Sequence, residues 1–275
     1  MSWKKTIQNI RNSYIKETKA YVQNVTPELN ILERGKIKSS LSKFILKIYN
    51  ESYKKYLIDE QLVTAEIMDH LLITAEAKKY IKNTAEPILK NIKLASNDER
   101  TKDLISQLLT SSMHKFSDQI YDFNLSTTNS RRSRSGKTFE IIIEFVLKNI
   151  FEYPVVSQAL VGKSRWQKNN LKKVDFLLPN LATYRKNRTA TILISTKTSL
   201  KERWEQIVSE LVVSNVPQIY LCTIDENLTI GMIDSIGEHN ITLVVPKKQK
   251  EKFKRFANIV SFEIFFNKII PKLLS

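Results

Sequence analysis

Two rhythms of apolar residues divide this chain. Up to about residue 120, apolar positions recur three and four apart. In KIKSSLSKFILKIYNESYKKYLI the residues Ile37, Leu41, Phe44, Ile45, Ile48 and Tyr49 form one stripe, the spacing that lines one face of an α-helix. Similar stripes run through residues 5–24, 59–80 and 101–118, and the region holds one glycine, Gly35, and two prolines, Pro27 and Pro87. The pattern predicts a helical region over 1–120 with lysines on its outer faces and its Tyr and Phe residues in the core.

NLSTTNSRRSRSGKT interrupts the stripes. It is polar, small and basic, which predicts a surface loop, with Arg131, Arg132 and Arg134 as candidates for phosphate contact. Its GKT is not a phosphate-binding P-loop, because Arg131 stands where that motif needs its first glycine. Beyond it the rhythm changes. FEIIIEFVLKNIF is apolar almost all round, which predicts a buried helix opened by Glu140. Short β-branched runs follow: VDFLL, ATILIST, QIYLCTI and ITLVV, each of core-strand length. A helical stretch, KERWEQIVSELVV, lies between the second and third. Residues 121–275 are thus expected to be a mixed α/β core around a central sheet.

Charge adds a partner to this picture. The 275 residues carry a formal net charge of +16 and a pI near 9.7, an excess that favours a polyanion such as nucleic acid. The single cysteine, Cys222, excludes a disulfide within the chain and sits in an apolar run as a small core residue. His70, His114 and His239 show no metal-ligand spacing. The first residues hold no apolar secretion signal and no run approaches membrane-spanning length, so a cytoplasmic location without membrane contact is expected.

The chemistry is suggested by charges in apolar surroundings. Asp175 lies within KKVDFLLP, Lys197 follows ATILIST, and Glu140 and Glu144 begin the expected buried helix. Ions in such places survive in pairs, on a metal or at a site. In the helix expected after Lys197, Leu200, Trp204, Ile207, Val208, Leu211 and Val212 make the apolar face, while Arg203, Gln206 and Glu210 share a neighbouring stripe. Glu210 is therefore expected to point back to the strand end carrying Lys197, so that Asp175 and Glu210 both approach one lysine. Mg2+ takes one or two protein carboxylates and keeps waters, and such a site suits phosphodiester hydrolysis. Each residue alone has an ordinary structural reading: Asp175 paired with Lys172 or Lys173, Lys197 a solvated strand end, Glu210 paired with a surface lysine.

Taken in order, Asp175, then Ser195-Thr196-Lys197, then Glu210 resemble the rearranged PD-(D/E)xK site of type II restriction endonucleases, in the EcoRII-like, CCGG-family branch. In the common form an acidic residue stands two before the lysine; here that residue is Ser195. In this branch a K-x12-E spacing supplies the missing carboxylate from the following helix, and Lys197 to Glu210 fits it. The branch's upstream glutamate matches Glu140 in SGKTFE. Its recognition triplet, K/R-D/E-R, matches Lys201-Glu202-Arg203. Val174 replaces the proline of the fold's name. The likeness covers residues 131–215, roughly a third of the chain.

The resemblance implies a PD-(D/E)xK restriction-endonuclease-like core with a mixed central sheet flanked by helices; the helical region 1–120 that precedes it matches no motif of the family and is expected to serve either DNA flanks or dimer contacts. The resemblance also implies Mg2+-dependent cleavage of double-stranded DNA at a palindrome with CC:GG half-sites (CCGG, CCNGG or CCWGG) by a homodimer, with a tetramer as the alternative. Asp175, Glu210 and the Thr196 carbonyl would hold metal, Lys197 would position water and phosphate, Glu140 would stand at or behind the metal site, and Ser195 would only fill space. Lys201, Glu202 and Arg203 would read bases. Arg131, Arg132, Arg134, Lys163 and Arg165 would meet the backbone. The alternatives are a repair or junction-resolving nuclease of the same fold, or a non-catalytic DNA-binding protein.

Overall fold

The protein is represented by a computed structural model that describes residues 2–72, 74–94, 98–161, 172–200, 208 and 216–275. It divides into two compact units, Met1–Glu17 with Lys54–Ser133, and Thr18–Tyr53 with Arg134–Ser275. Residues 18–53 group with the sheet, because the stripe on the helix Leu41–Leu72 packs Leu41, Ile45 and Ile48 into the cluster that holds Phe176, Ile194 and Cys222. Fully burying a side chain of this size contributes roughly 1.5–3 kcal/mol.

The larger unit is built on a mixed sheet of six strands among the described residues: β1 Val156–Val161, β2 Lys172–Leu178, β3 Ile192–Lys197, β4 Gln218–Thr223, β5 Ile241–Val245 and β6 Ile259–Ser261. They lie side by side in chain order. The first two pairings are antiparallel and the other three parallel. Period-two alternation sorts the strand side chains between two clusters. Ile192, Ile194, Tyr220 and Cys222 join Phe139, Ile143, Phe262, Phe265 and Phe266. Leu193, Ile219, Leu221, Ile241 and Leu243 join Ile233, Ile236 and Phe253. The four predicted runs are therefore strands. The pattern missed β1, whose mid-strand Gln158 has φ 55°, and β6, which is three residues long.

The smaller unit is helical among its described residues. Leu71, Ala77 and Phe116 form an apolar cluster with Trp3, Tyr80 and Ile120 around it. A second anchor is polar: Glu60 is 2% exposed and accepts hydrogen bonds from the Tyr56 hydroxyl at 2.5 Å and Arg131 Nε at 2.6 Å.

The expected loop over NLSTTNSRRSRSGKT is not one. These residues belong to the helix Ser117–Phe145, and the buried stretch opened by Glu140 begins in its last turns and runs on into the π-helical segment Val146–Ile150. The small polar side chains have remote partners that composition cannot reveal. Ser130 bonds Tyr56 at 3.2 Å, Arg131 bonds Glu60, and Ser135 bonds Tyr49 at 2.7 Å. No helix among the described residues is long and apolar enough to cross a membrane.

Candidate active site

Antiparallel pairing of β2 with β3 sets Phe176 opposite Ile194, which brings Asp175 level with Ser195. Asp175 Oδ2 accepts three hydrogen bonds, from the Thr196 N–H at 2.6 Å, Thr196 Oγ1 at 3.0 Å and Ser195 Oγ at 3.2 Å. Bonds to an ionised acceptor are short and strong, so one oxygen of this half-buried carboxylate is pinned. Its Oδ1 has no hydrogen bond among the described residues. The Ser195 hydroxyl is thus one of the three groups that hold Asp175.

Lys197 ends β3. Strand alternation puts its side chain on the face of Ser195, which with Thr196 is one of the two residues whose hydroxyls reach Asp175. Lys197 is half-buried, and its ammonium has no partner among the described residues. Asp175 on β2 thus lies beside Ser195 and Thr196, next to the end of β3 that carries Lys197.

Glu140 reaches this edge through a residue that the sequence did not single out. Gln158 lies between Ser157, opposite Phe176, and Ala159, opposite Val174, so it stands level with Asp175 on the neighbouring strand. Its Nε2 donates to Glu140 Oε1, which also accepts from Lys137 Nζ at 2.9 Å. Consecutive strand residues ordinarily point to opposite faces. Here Ser157 also reaches the same helix, donating to Glu144 Oε1 at 2.6 Å. The left-handed backbone at Gln158 permits this, at a strain on the order of 1–3 kcal/mol. Nothing in the sequence signals it.

Glu144 completes this polar seam. Burial by itself would raise its carboxyl pKa. The hydrogen bonds from Lys148, at 2.6 Å, and Ser157, with the charges of Lys148 and Lys137, outweigh burial and hold it below the usual 4.5. A depressed carboxyl adds stability that is present above its unfolded pKa and lost as pH falls through the folded one. Glu144→Gln should accordingly lower the melting temperature at pH 7, with the gap to wild type closing as pH drops below about 4.5; a gap unchanged in acid would contradict this.

Cys222 pairs with Thr196 across β3 and β4. Burial pushes its thiol well above the ordinary value and the charge of Asp175 adds to this. It stays a protonated core residue, as expected.

Glu210, Lys201, Glu202, Arg203, Lys163 and Arg165 lie outside the described residues. Val208, from the same predicted helix as Glu210, is described and is buried among Leu200, Leu221 and Leu243. Of the upstream arginines, Arg131 engages Glu60, Arg134 donates to Thr18 Oγ1 at 3.4 Å, and Arg132 is exposed.

The donors at hand suit a hard divalent cation. Asp175 offers one carboxylate oxygen while its other is held, and Mg2+ characteristically binds through one or two carboxylates together with water and phosphate oxygens. In the described residues no group of three or more His, Cys, Asp or Glu residues gathers around one point.

The chain is 35% identical to the type II restriction enzyme SsoII of Shigella sonnei over 170 residues, 61% of this chain and 55% of that enzyme. It is 25% identical to the type II restriction enzyme EcoRII of Escherichia coli over 189 residues, 64% of this chain and 43% of that one. The chain thus spans about half the length of the curated relatives it matches. Among solved structures, metal-depleted Ecl18kI in complex with uncleaved, modified DNA matches with a TM-score of 0.75 and 24% identity, over 98% of this chain and 83% of that one. A PspGI–substrate DNA complex matches with a TM-score of 0.62 and 17% identity, over 96% of this chain and 95% of that one. Both share the fold. The family described as EcoRII C terminal matches residues 99–266, more than half of the sequence, and the chain belongs to that family.

Proposed function

We propose that this protein is a Mg2+-dependent type II restriction endonuclease that hydrolyses double-stranded DNA at a palindrome with CC:GG half-sites. The observation that carries the reading is the Asp175 carboxylate, pinned by the Thr196 N–H at 2.6 Å beside the end of the strand that bears Lys197. Family membership and the net charge of +16 support it.

In this reading Asp175, Glu210 and the Thr196 carbonyl hold the metal. When bound, Mg2+ supplies Lewis acidity toward the phosphate and lowers the pKa of attacking water. The Lys197 ammonium holds a non-bridging phosphate oxygen and orients the water, offsetting charge that grows in the transition state. Ser195 and Thr196 keep Asp175 in place, and Glu140, tied to Gln158, stands behind the site. Arg132 and Arg134, with Arg131, Lys163 and Arg165, are backbone contacts, which position without specifying. A two-fold dimer reads the symmetric site, in the cytoplasm.

Lys201, Glu202 and Arg203 read the bases. An arginine bonds guanine O6 and N7 together, a lysine donates to a second guanine, and a glutamate accepts from cytosine N4. Arg203→Ala should therefore cost about 1–3 kcal/mol of discrimination at one guanine; an unchanged site preference in a competition binding assay would remove it from the recognition set.

The test of the whole reading is digestion of a sequenced plasmid with and without Mg2+, followed by mapping of the ends. Discrete Mg2+-dependent fragments ending at CC/GG sites are expected. Cutting without a fixed sequence would instead favour a repair-type nuclease, and no cutting at all would leave only DNA binding.

A further inference from the structure

Three residues, Thr198, Ser199 and Leu200, separate Lys197 from Lys201, and each is held. Thr198 Oγ1 accepts from Ser135 Oγ at 3.2 Å, and Ser135 in turn lies 2.7 Å from the Tyr49 hydroxyl. Ser199 Oγ donates to Asp225 Oδ2 at 3.3 Å, and the Leu200 N–H donates to the same oxygen at 2.7 Å. The Leu200 side chain is fully buried.

Asp225 is itself fixed. It is 5% exposed and lies two residues beyond Thr223, the β4 partner of Lys197. Its N–H donates to Thr223 Oγ1 at 3.1 Å, its Oδ1 accepts from the Asn227 N–H at 2.9 Å, and its carbonyl accepts from Gln249 Nε2 at 3.3 Å. Among the described residues no cation pairs with it. A buried carboxylate compensated by hydrogen bonds alone stays where its donors are, and moving either side strands a charge or an N–H.

We propose that Asp225 is a positioning residue that sets the register between Lys197 and the triplet Lys201-Glu202-Arg203, so that base reading reaches the cleavage site through it. The inference rests on the endonuclease reading above. Because β3 and β4 are hydrogen-bonded neighbours, Asp225 is rigid with respect to the strand of Lys197. Its bond to Leu200 fixes the path of the backbone that leads into the triplet. With this clamp, correct base contacts and a correctly placed ammonium arise together. Without it, the triplet engages bases while Lys197 stands displaced, or Lys197 acts while the triplet is unengaged.

D225N is the informative variant. The amide keeps the shape but has one acceptor oxygen, so it satisfies either Leu200 or Asn227 and not both. Single-turnover cleavage with Mg2+ is measured on the mapped site and on duplexes with one base pair changed, for wild type, D225N and S199A. Affinity for a random duplex and circular-dichroism melting are recorded alongside.

D225N should bind random duplex like wild type and cut its own site about 100-fold more slowly, the scale of a misplacement near 1 Å. Its preference for that site over altered ones should fall by about tenfold, the worth of one good base contact. S199A, at an exposed position, should shift the preference the same way by less. A carboxylate with only a structural role would slow every duplex equally, so a wild-type preference in D225N overturns the proposal. If D225N does not fold, the preference in S199A decides on the same terms. A wild type that cuts no duplex overturns the endonuclease reading and this inference with it; a wild type that cuts beside variants of unchanged preference overturns this inference alone.

Discussion

Lys197→Ala should end cleavage and leave sequence-specific binding in place. The residue closes β3 one step beyond the backbone N–H that pins Asp175, and in the proposed function its ammonium holds the phosphate at that carboxylate. Removing one preorganised donor to developing transition-state charge typically costs about 100- to 1000-fold in rate, and this donor carries a full charge, so about 1000-fold is expected here. Alanine keeps the strand and the Thr196 N–H, and it leaves Lys201-Glu202-Arg203 untouched. The comparison is a gel-shift titration on the mapped site beside a cleavage assay on the same duplex. Wild-type cutting by the variant would take Lys197 out of the site; loss of binding together with cutting would make its role architectural.

Asp175→Asn should be nearly as severe for a different reason. The asparagine oxygen can still accept from the Thr196 N–H, so the local fold has no cause to change. The other atom becomes an N–H donor, which cannot face a cation. Cutting at low Mg2+ should drop by at least about 100-fold, the upper range for removing a group that merely supports a metal ligand, and excess Mg2+ should restore it only in part. A Mg2+ titration superimposable on that of wild type would exclude Asp175 as a ligand. Because both variants preserve the backbone of β2 and β3, melting curves close to wild type are expected and separate these losses from unfolding.

The strands were legible because burial writes itself into composition. VDFLL, ATILIST, QIYLCTI and ITLVV are apolar runs of strand length, and they form β2 to β5. Asp175 and Lys197 stood out for the same reason, as charges where apolar residues belong. Polar pairing leaves no such local trace. NLSTTNSRRSRSGKT read as a loop because small polar residues favour turns when nothing else bonds them. In the protein Tyr49, Tyr56 and Glu60 bond them, from positions more than 70 residues away. Gln158 is a sharper case. Its left-handed backbone and its reach to Glu140 depend on the helix beneath β1, and no spacing in the sequence announces either.

Local chemistry along the chain, then, determined the class of the protein: a basic α/β core, an acid within one strand and a lysine ending the next, and a charged triplet at a fixed distance behind the lysine. These follow from periodicity and residue type, which act between near neighbours. The tertiary structure alone decided which oxygen of Asp175 is held, that Ser195 helps to hold it, that Glu140 meets the sheet through Gln158, and that Asp225 grips Leu200. Each is a hydrogen bond between segments distant along the chain. Such bonds are directional and short-ranged, so only the packing of strands and helices brings their partners within reach.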